Sequence, residues 1–335
     1  MSPAERLRIA KAPGEDGNAS RYRGGFHCHN VAVGRSALAW QHDTMMSAGV
    51  MFWWSTLCAV AGFNVLAWSL SAVALNRRRG AMTPEHHAAR RRQLQLAAIY
   101  VFGCAFRSAF PVFDVPRLCL VDSWLSSVLV GRSVATCAEL CFVAQWSVML
   151  HETSRATGSG FARLVSLILV PLIAVAELCS WYSVLTTANI GHVAEESLWG
   201  VSVALMVASV VAMGARSTAA RRPMLFLWCV AGAAYVTYIF RIDVPMYWSR
   251  WIADQAIGRH YLTIAQGIHD VATRRAVSYQ WSDWKSEIVW MSLYFSVAVW
   301  LSIALIHAPR FEADIAQGQP RWAFLRRRFG WAAGN

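Results

Sequence analysis

Residues 163–185 read RLVSLILVPLIAVAELCSWYSVL, a run dominated by leucine, isoleucine, valine and alanine. A helix needs about 20 such residues to cross the hydrocarbon core of a membrane, and this run is long enough to do so. Arg163 stands at its edge, whereas Glu177 is a charged residue deep inside it. The run therefore predicts a transmembrane helix that buries an acid.

Six further apolar runs follow the same pattern along the chain. They cover residues 48–75, 94–113, 124–150, 198–214, 223–243 and 286–307, and the run at 198–214 is the shortest. The chain of 335 residues is 56% hydrophobic and 15% charged, whereas about a quarter of the residues in soluble proteins are charged. The fold class predicted is all-α: a polytopic membrane protein with seven transmembrane helices.

The arginines alternate between the predicted loops. They are concentrated in the first, third and fifth loops and in the C-terminal segment, although the long 244–285 loop also carries basic residues. Because Lys and Arg are enriched on the cytoplasmic side, the N-terminus is predicted outside and the C-terminus in the cytoplasm. Topology thus accounts for the formal net charge of +12. No nucleic-acid partner is predicted; the expected partners are membrane lipids, and the expected location is the cell membrane.

The sequence also predicts how the chain is divided. Residues 1–46 lack hydrophobic periodicity and are expected to form a poorly ordered arm, residues 47–308 the transmembrane domain, and residues 309–335 a basic, aromatic cytoplasmic tail suited to anionic lipid. Within the domain, Ile257, Tyr261, Ile264 and Ile268 recur at spacings of four and three. This pattern predicts an amphipathic interfacial helix near 250–275.

Charged residues inside the spans are the candidates for function. Arg132, Thr136 and Glu139 lie on the third span, and two helical turns separate Arg132 from Glu139, which places them on the same face. Arg107 lies on the second span and Glu177 on the fourth. Because hydrocarbon penalises charge, these side chains are expected to face protein or trapped water rather than lipid.

The sixth and seventh spans add more polar residues on the side predicted to face outward. Tyr238, Arg241 and Asp243 close the sixth span, and Glu287 opens the seventh. Inter-helix ion pairs that hold the bundle together explain any one of these residues as well as a site does. Their concentration toward one membrane face favours a hydrated outward cavity.

The predicted function is to bind or conduct a small charged solute or protons in that cavity. Arg107 and Arg132 would hold an anionic group of the solute or of a lipid headgroup, and Glu139 would be the deepest proton acceptor. Two alternatives remain open: a membrane-embedded enzyme acting on a lipid or isoprenoid headgroup, and a receptor or scaffold that acts through the basic tail. Whether the protein is an enzyme is not decided by the sequence.

No cofactor and no metal are expected. A retinal protein needs a lysine in the middle of its seventh helix, but Lys285 stands at the entrance of that span. Haem ligation would need facing histidines within spans, and His151 and His307 lie at span ends. His260 and His269 are half a turn out of phase on one regular helix, so they would not grip one ion together.

Overall fold

A computed structural model describes the backbone of residues 29–214 and 222–308, and the side chains in those ranges from residue 48 onward apart from residue 224. The chain divides into two units, Met1–Met45 and Met46–Asn335, and apart from the start of the first helix the features below belong to the second. The predicted tail at 309–335 and the first 28 residues of the predicted arm lie outside the described residues. The first helix begins at His29, within the segment predicted as an arm.

The described residues form ten α-helices and three short strands. The helices are α1 (His29–Arg77), α2 (Pro84–Ala109), α3 (Val128–Thr157), α4 (Gly160–Thr186), α5 (Ile190–Gly214), α6 (Arg222–Tyr238), α7 (Val244–Ala256), α8 (Ile264–Thr273), α9 (Trp281–Leu293) and α10 (Val299–Ile306), and the strands are β1 (Val112–Phe113), β2 (Leu118–Cys119) and β3 (Ala276–Val277). Two π-helical segments, Ile239–Asp243 and Tyr294–Ala298, join α6 to α7 and α9 to α10.

Six helical segments of the described chain are long and apolar enough to cross a membrane. They are Ala48–Arg77, Val128–Thr157, Gly160–Thr186, Ile190–Gly214, Leu225–Ala256 and Trp281–Ile306. The prediction of an all-α, multi-pass integral membrane protein is therefore confirmed. The predicted second span corresponds to α2, which is not among the six.

The sixth span is longer than the sequence pattern suggested. Instead of ending near Asp243, the helix passes through the π-helical segment and continues as α7 to Ala256. Pro245, which lacks a backbone donor, is accommodated at the start of α7. The region predicted as one amphipathic helix near 250–275 therefore holds the end of α7, a connection and α8. Gly258, with φ of +63°, stands in that connection, where a left-handed residue ends a helix.

Helix α8 and the three strands form a cap at one end of the bundle. Strand β2 pairs antiparallel with β1 and parallel with β3. Arg117, itself at φ of +62°, lies buried under the cap, where its Nε donates to Asp270 of α8 at 2.8 Å and its other nitrogens donate to the backbone carbonyls of Asp114 and Val184. Helix α3 begins, α4 ends and α5 begins close to this cap, so polar residues near those helix ends share one end of the bundle.

Two glycines let backbones approach closely on the same side. A Cβ on Gly191 of α5 would lie 2.4 Å from the carbonyl oxygen of Cys179 on α4, and a Cβ on Gly267 of α8 would lie 2.1 Å from that of Leu185. Both distances are too short for any side chain. The glycines therefore allow α5 and α8 to lie directly against α4.

Candidate charged site

Arg132 lies at the centre of a buried group of carboxylates. Its Nη2 donates to Glu177 Oε2 at 2.9 Å and to Glu195 Oε1 at 2.8 Å, and lies 3.9 Å from Glu139 Oε2. All four side chains are at most 7% exposed. We call Arg132, Thr136, Glu139, Glu177 and Glu195 the Arg132 cluster.

The cluster forms because three helices place these residues within about 10 Å of one another along the bundle, at the end that carries the cap. Arg132 lies about 6 Å and Glu139 about 16 Å from the start of α3, whereas Glu177 lies about 14 Å before the end of α4 and Glu195 about 8 Å after the start of α5. The close contact at Gly191 places the first turns of α5 beside Glu177. The extended Arg132 side chain then reaches acids on three helices.

Neutral donors and one histidine orient the carboxylates. Thr136 Oγ1 donates to Glu177 Oε2 at 2.6 Å and accepts from Trp181 Nε1 at 3.1 Å. His192 Nδ1 lies 2.8 Å from Glu195 Oε2. Each acid is therefore held in place from a second side, which fixes the geometry around the guanidinium.

Three carboxylates in contact with one guanidinium leave negative charge unmatched. Even a protonated His192 would offset only one of the two excess charges. Oxygens of Glu139, Glu177 and Glu195 lie within 4.8 Å of one another, a spacing at which carboxylates can share a metal ion. Arg132 Nη2 already contacts all three of them, however, so the guanidinium stands where a shared cation would bind.

Tyr294 connects the cluster to Arg107. The Tyr294 hydroxyl donates to Glu139 Oε1 at 2.9 Å, and the guanidinium carbon of Arg107 lies 6.0 Å from the Tyr294 ring centroid and 5.7 Å from that of Phe295. Arg107 is buried, at 4% exposure. Arg107 thus lies beside the ring of Tyr294, and the hydroxyl of the same tyrosine contacts a carboxylate of the Arg132 cluster.

The remaining predicted site residues are not brought into the cluster. Arg241 is exposed, Tyr238 and Asp243 are half-buried, and none of them contacts Arg132 in the described structure. Glu287 is buried, at 5%, where it accepts hydrogen bonds from Trp290 Nε1 at 2.8 Å and from Ser286.

Sequence reasoning missed Glu195, His192 and Tyr294. The acids at 195 and 196 resemble the favourable acids found near helix N-termini, which hides the role of Glu195. The spacing of three residues between His192 and Glu195 places both on one helix face, and it was a signal that the histidine contacts the acid. Nothing in the local sequence distinguishes Tyr294 from other aromatic residues of the seventh apolar run.

No protein-family model matches this sequence, and neither does any curated protein or any solved structure. Function therefore has to be argued from the geometry of the site itself.

Proposed function

We propose that the protein crosses the membrane seven times, with α2 as the additional span. Helix α2 has 26 residues, which corresponds to about 39 Å of helix. Its polar side chains depress its hydropathy, but Gln93 and Arg107 are buried in the protein. A helix that turns its polar groups inward can cross a membrane with a low average hydropathy.

The contacts of α2 support this crossing. Trp68 and Trp54 of α1 donate to the backbone carbonyls of Leu94, near the middle of α2, and of Ser108, at its C-terminal end. On the other side, Gln93 Nε2 donates to the carbonyl of Gln145 on α3. These contacts run in opposite chain directions on α1 and α2, so α2 lies antiparallel to α1, and α3 also contacts it. This arrangement supports α2 as a membrane-crossing helix. With seven spans, the arginine distribution favours an outer N-terminus and an outward-facing Arg132 cluster.

Our proposed function is the binding of protons and of a small charged solute in the outward half of this bundle, and the movement of the protons across the membrane. The observation that carries it is the contact of one guanidinium nitrogen with carboxylates from three helices. A buried excess of negative charge is costly unless a proton or cation neutralises it. The resting cluster therefore holds at least one proton.

We assign that proton to Glu139, on the support of the distances. Glu177 and Glu195 lie at 2.9 and 2.8 Å from Arg132 Nη2, but Glu139 lies at 3.9 Å. The carboxylate farthest from the guanidinium receives the least stabilisation of its charge. Glu139 is also the acid that accepts a hydrogen bond from Tyr294, so it connects the Arg132 cluster to the tyrosine beside Arg107.

Proton movement can be measured in liposomes that hold the full chain and a pH-sensitive dye, with a potassium gradient and valinomycin to set the voltage. We expect wild-type protein to acidify or alkalinise the lumen according to the sign of the voltage. Glu139→Gln should reduce this rate at least tenfold because the amide carries no exchangeable acid proton. Infrared spectra should lose a protonated-carboxyl carbonyl band in the same variant.

Glu152→Gln is the matched control, because Glu152 lies on the same helix but outside the Arg132 cluster. Its carboxylate pairs with Arg90 Nη2 at 2.7 Å. This variant should retain proton movement and the carbonyl band. Equal rates in wild type and Glu139→Gln would remove the proposal, provided that both proteins are folded and inserted.

A divalent cation in place of the proton is the second candidate, favoured by the short separations among the three glutamates. It would require Arg132 to move away from the carboxylates. Titration with Mn²⁺ distinguishes the two: saturable binding that disappears in both Glu177→Gln and Glu195→Gln would support the cation and contradict the proton. No binding in wild type would exclude it.

A further inference from the structure

We propose that Arg107 binds an oxoanion, a carboxylate or phosphate group, in the outward half of the bundle. This inference rests on the proposed function and deepens it, because it gives the charge of the solute that accompanies the proton. It also gives different roles to Arg107 and Arg132, for which the sequence predicted the same role. Arg132 is occupied by the protein's own acids, whereas Arg107 is not.

The four buried arginines of the described chain differ in their partners. Arg90 pairs with Glu152, Arg117 with Asp270, and Arg132 with the cluster glutamates. Arg107 has no carboxylate within 4.0 Å among the described residues, and its Nη1 is fully buried without a hydrogen-bond acceptor there. A guanidinium buried in this way is costly in a membrane protein, so an arginine without an internal partner indicates an external one.

The described surroundings of Arg107 give its charge aromatic neighbours but give its Nη1 no hydrogen-bond acceptor. The rings of Tyr294 and Phe295 lie close to the guanidinium, at 6.0 and 5.7 Å between the guanidinium carbon and the ring centroids. A cation–π contact is an attraction between the charge and the ring, and it does not supply the oxygen acceptor that an N–H donor needs. The aromatic rings thus position the guanidinium without consuming its donors.

The shape of the free donor set defines the ligand class. A guanidinium presents parallel N–H groups whose spacing matches the two oxygens of a carboxylate or phosphate, and a bidentate pair of this kind is stronger than a contact with a point charge. A metal ion or organic cation would be repelled. The group recognised is therefore an oxoanion, carried either by a water-soluble solute or by a lipid headgroup.

Tyr294 supplies a direct connection between this anion and the proton. Its ring lies beside Arg107, and its hydroxyl donates to Glu139 Oε1 at 2.9 Å. A negative charge placed at Arg107 favours the protonated, neutral form of a nearby carboxyl group. Anion binding and proton uptake are therefore expected to strengthen each other.

Binding can be measured by isothermal titration of the full-length protein in a neutral detergent, with acetate and inorganic phosphate as soluble probes. A second arm measures retention of phosphatidylglycerol by native mass spectrometry after exchange from vesicles of that lipid. In at least one arm, Arg107→Gln should weaken binding at least tenfold. Arg107→Lys should weaken it at least threefold, because lysine keeps the charge but loses the bidentate geometry.

Arg155→Gln is the control, because Arg155 is exposed in the last turn of α3 and the charge change is identical. It should leave binding unchanged. A response confined to acetate or phosphate identifies a soluble solute, and a response confined to phosphatidylglycerol identifies a headgroup; either supports the proposal. Wild-type affinity for every probe in both Arg107 variants overturns it. If Arg107→Gln fails to fold, the affinity of Arg107→Lys alone is used: weaker binding supports the proposal, and wild-type affinity for every probe overturns it.

The anion site and the proposed proton function can fail separately. Glu139→Gln should still bind the anion, since Arg107 is intact, but the affinity should no longer rise as the pH falls. Anion binding that depends on Arg107, with proton movement that does not depend on Glu139, would leave this inference standing and remove the proposed function. An anion affinity that falls tenfold in Glu139→Gln would overturn the assignment to Arg107.

Discussion

Helix α3 contributes to two buried polar groups that are built differently. Toward the cap, the Arg132 cluster joins α3, α4 and α5 through charges. Toward the other end, an amide cluster joins α2, α3 and α10 through neutral groups: Gln93 and Gln145 each donate to the other's backbone carbonyl at 3.1 Å, and Ser302 donates to Gln145 Oε1. All three side chains of the amide cluster are fully buried.

The two groups differ in whether they use charge to join helices. The amide cluster connects three helices without any ionised group, so charge is not required for that purpose in this bundle. The Arg132 cluster uses four ionisable side chains. Both groups leave buried polar atoms without partners among the described residues, namely Gln93 Oε1 in the amide cluster and Arg132 Nε and Glu177 Oε1 in the Arg132 cluster, so the difference between them is the charge. Because an excess of buried charge destabilises a bundle, its presence near the cap favours a functional role.

Removal of Arg132 should have the largest effect. Arg132→Leu leaves three buried carboxylates without their guanidinium, and loss of one partner of a buried ion pair costs about 3–5 kcal/mol. The free energy of unfolding in detergent, measured by denaturant titration, should fall by about that amount. Fraying should be greatest where α4 and α5 meet α3.

The same experiment has an internal control. Replacing Glu139, Glu177 and Glu195 by glutamine in the Arg132→Leu background removes the stranded charge and should recover much of the lost stability. If the fourfold variant is as unstable as Arg132→Leu alone, packing rather than charge determines the stability of the cluster. The contrast between the charged Arg132 cluster and the neutral amide cluster would then not explain their stability.

Gln145→Leu should have a smaller effect, although Gln145 is completely buried and contacts two helices. Hydrogen bonds between membrane helices contribute about 0.6 kcal/mol on average and up to about 1.7 kcal/mol. Leucine also fills a similar volume. Unfolding under the same conditions should therefore change by about 1 kcal/mol, and proton movement should be retained. A loss as large as that of Arg132→Leu would show that neutral and charged clusters hold the bundle equally.

The sequence was most informative where one helix carried the pattern. Arg132, Thr136 and Glu139 lie on a single helix, so their common face follows from helical geometry alone. The depth of Glu177 followed in the same way from its distance to the end of the apolar run. Contacts within a helix and depths along it are local properties, and the structure brings these four residues together.

Rotation between helices was not predictable in this way. The π-helical segment Ile239–Asp243 has a wider turn than an α-helix, so the face on which Arg241 and Asp243 lie does not follow from a regular period. Glu195 joins the cluster because Gly191 allows α5 to lie against α4, a packing relation that one sequence does not encode locally. The hydroxyl of Tyr294 likewise reaches Glu139 across 155 positions of sequence.

The smallest expected effect is a pH dependence at the end of the bundle near the amide cluster. Burial, together with the positive charges of Arg78 and Arg90, lowers the pKa of His307 below its ordinary value. A histidine with a depressed folded-state pKa stabilises the fold above its unfolded pKa of about 6.5, and this contribution is lost as the pH falls. Because His307 is exposed in part, the change is small.

This dependence can be measured from the melting temperature in detergent between pH 7.5 and 5.5. Wild-type protein should lose slightly more stability over this range than His307→Gln, whose side chain takes up no proton. Arg155→Gln controls for a general loss of positive charge and should follow the wild type. If His307→Gln has the same pH dependence as the wild type, the acid sensitivity arises elsewhere, and the Arg132 cluster becomes the first region to test because it holds the largest group of buried acids in the described chain.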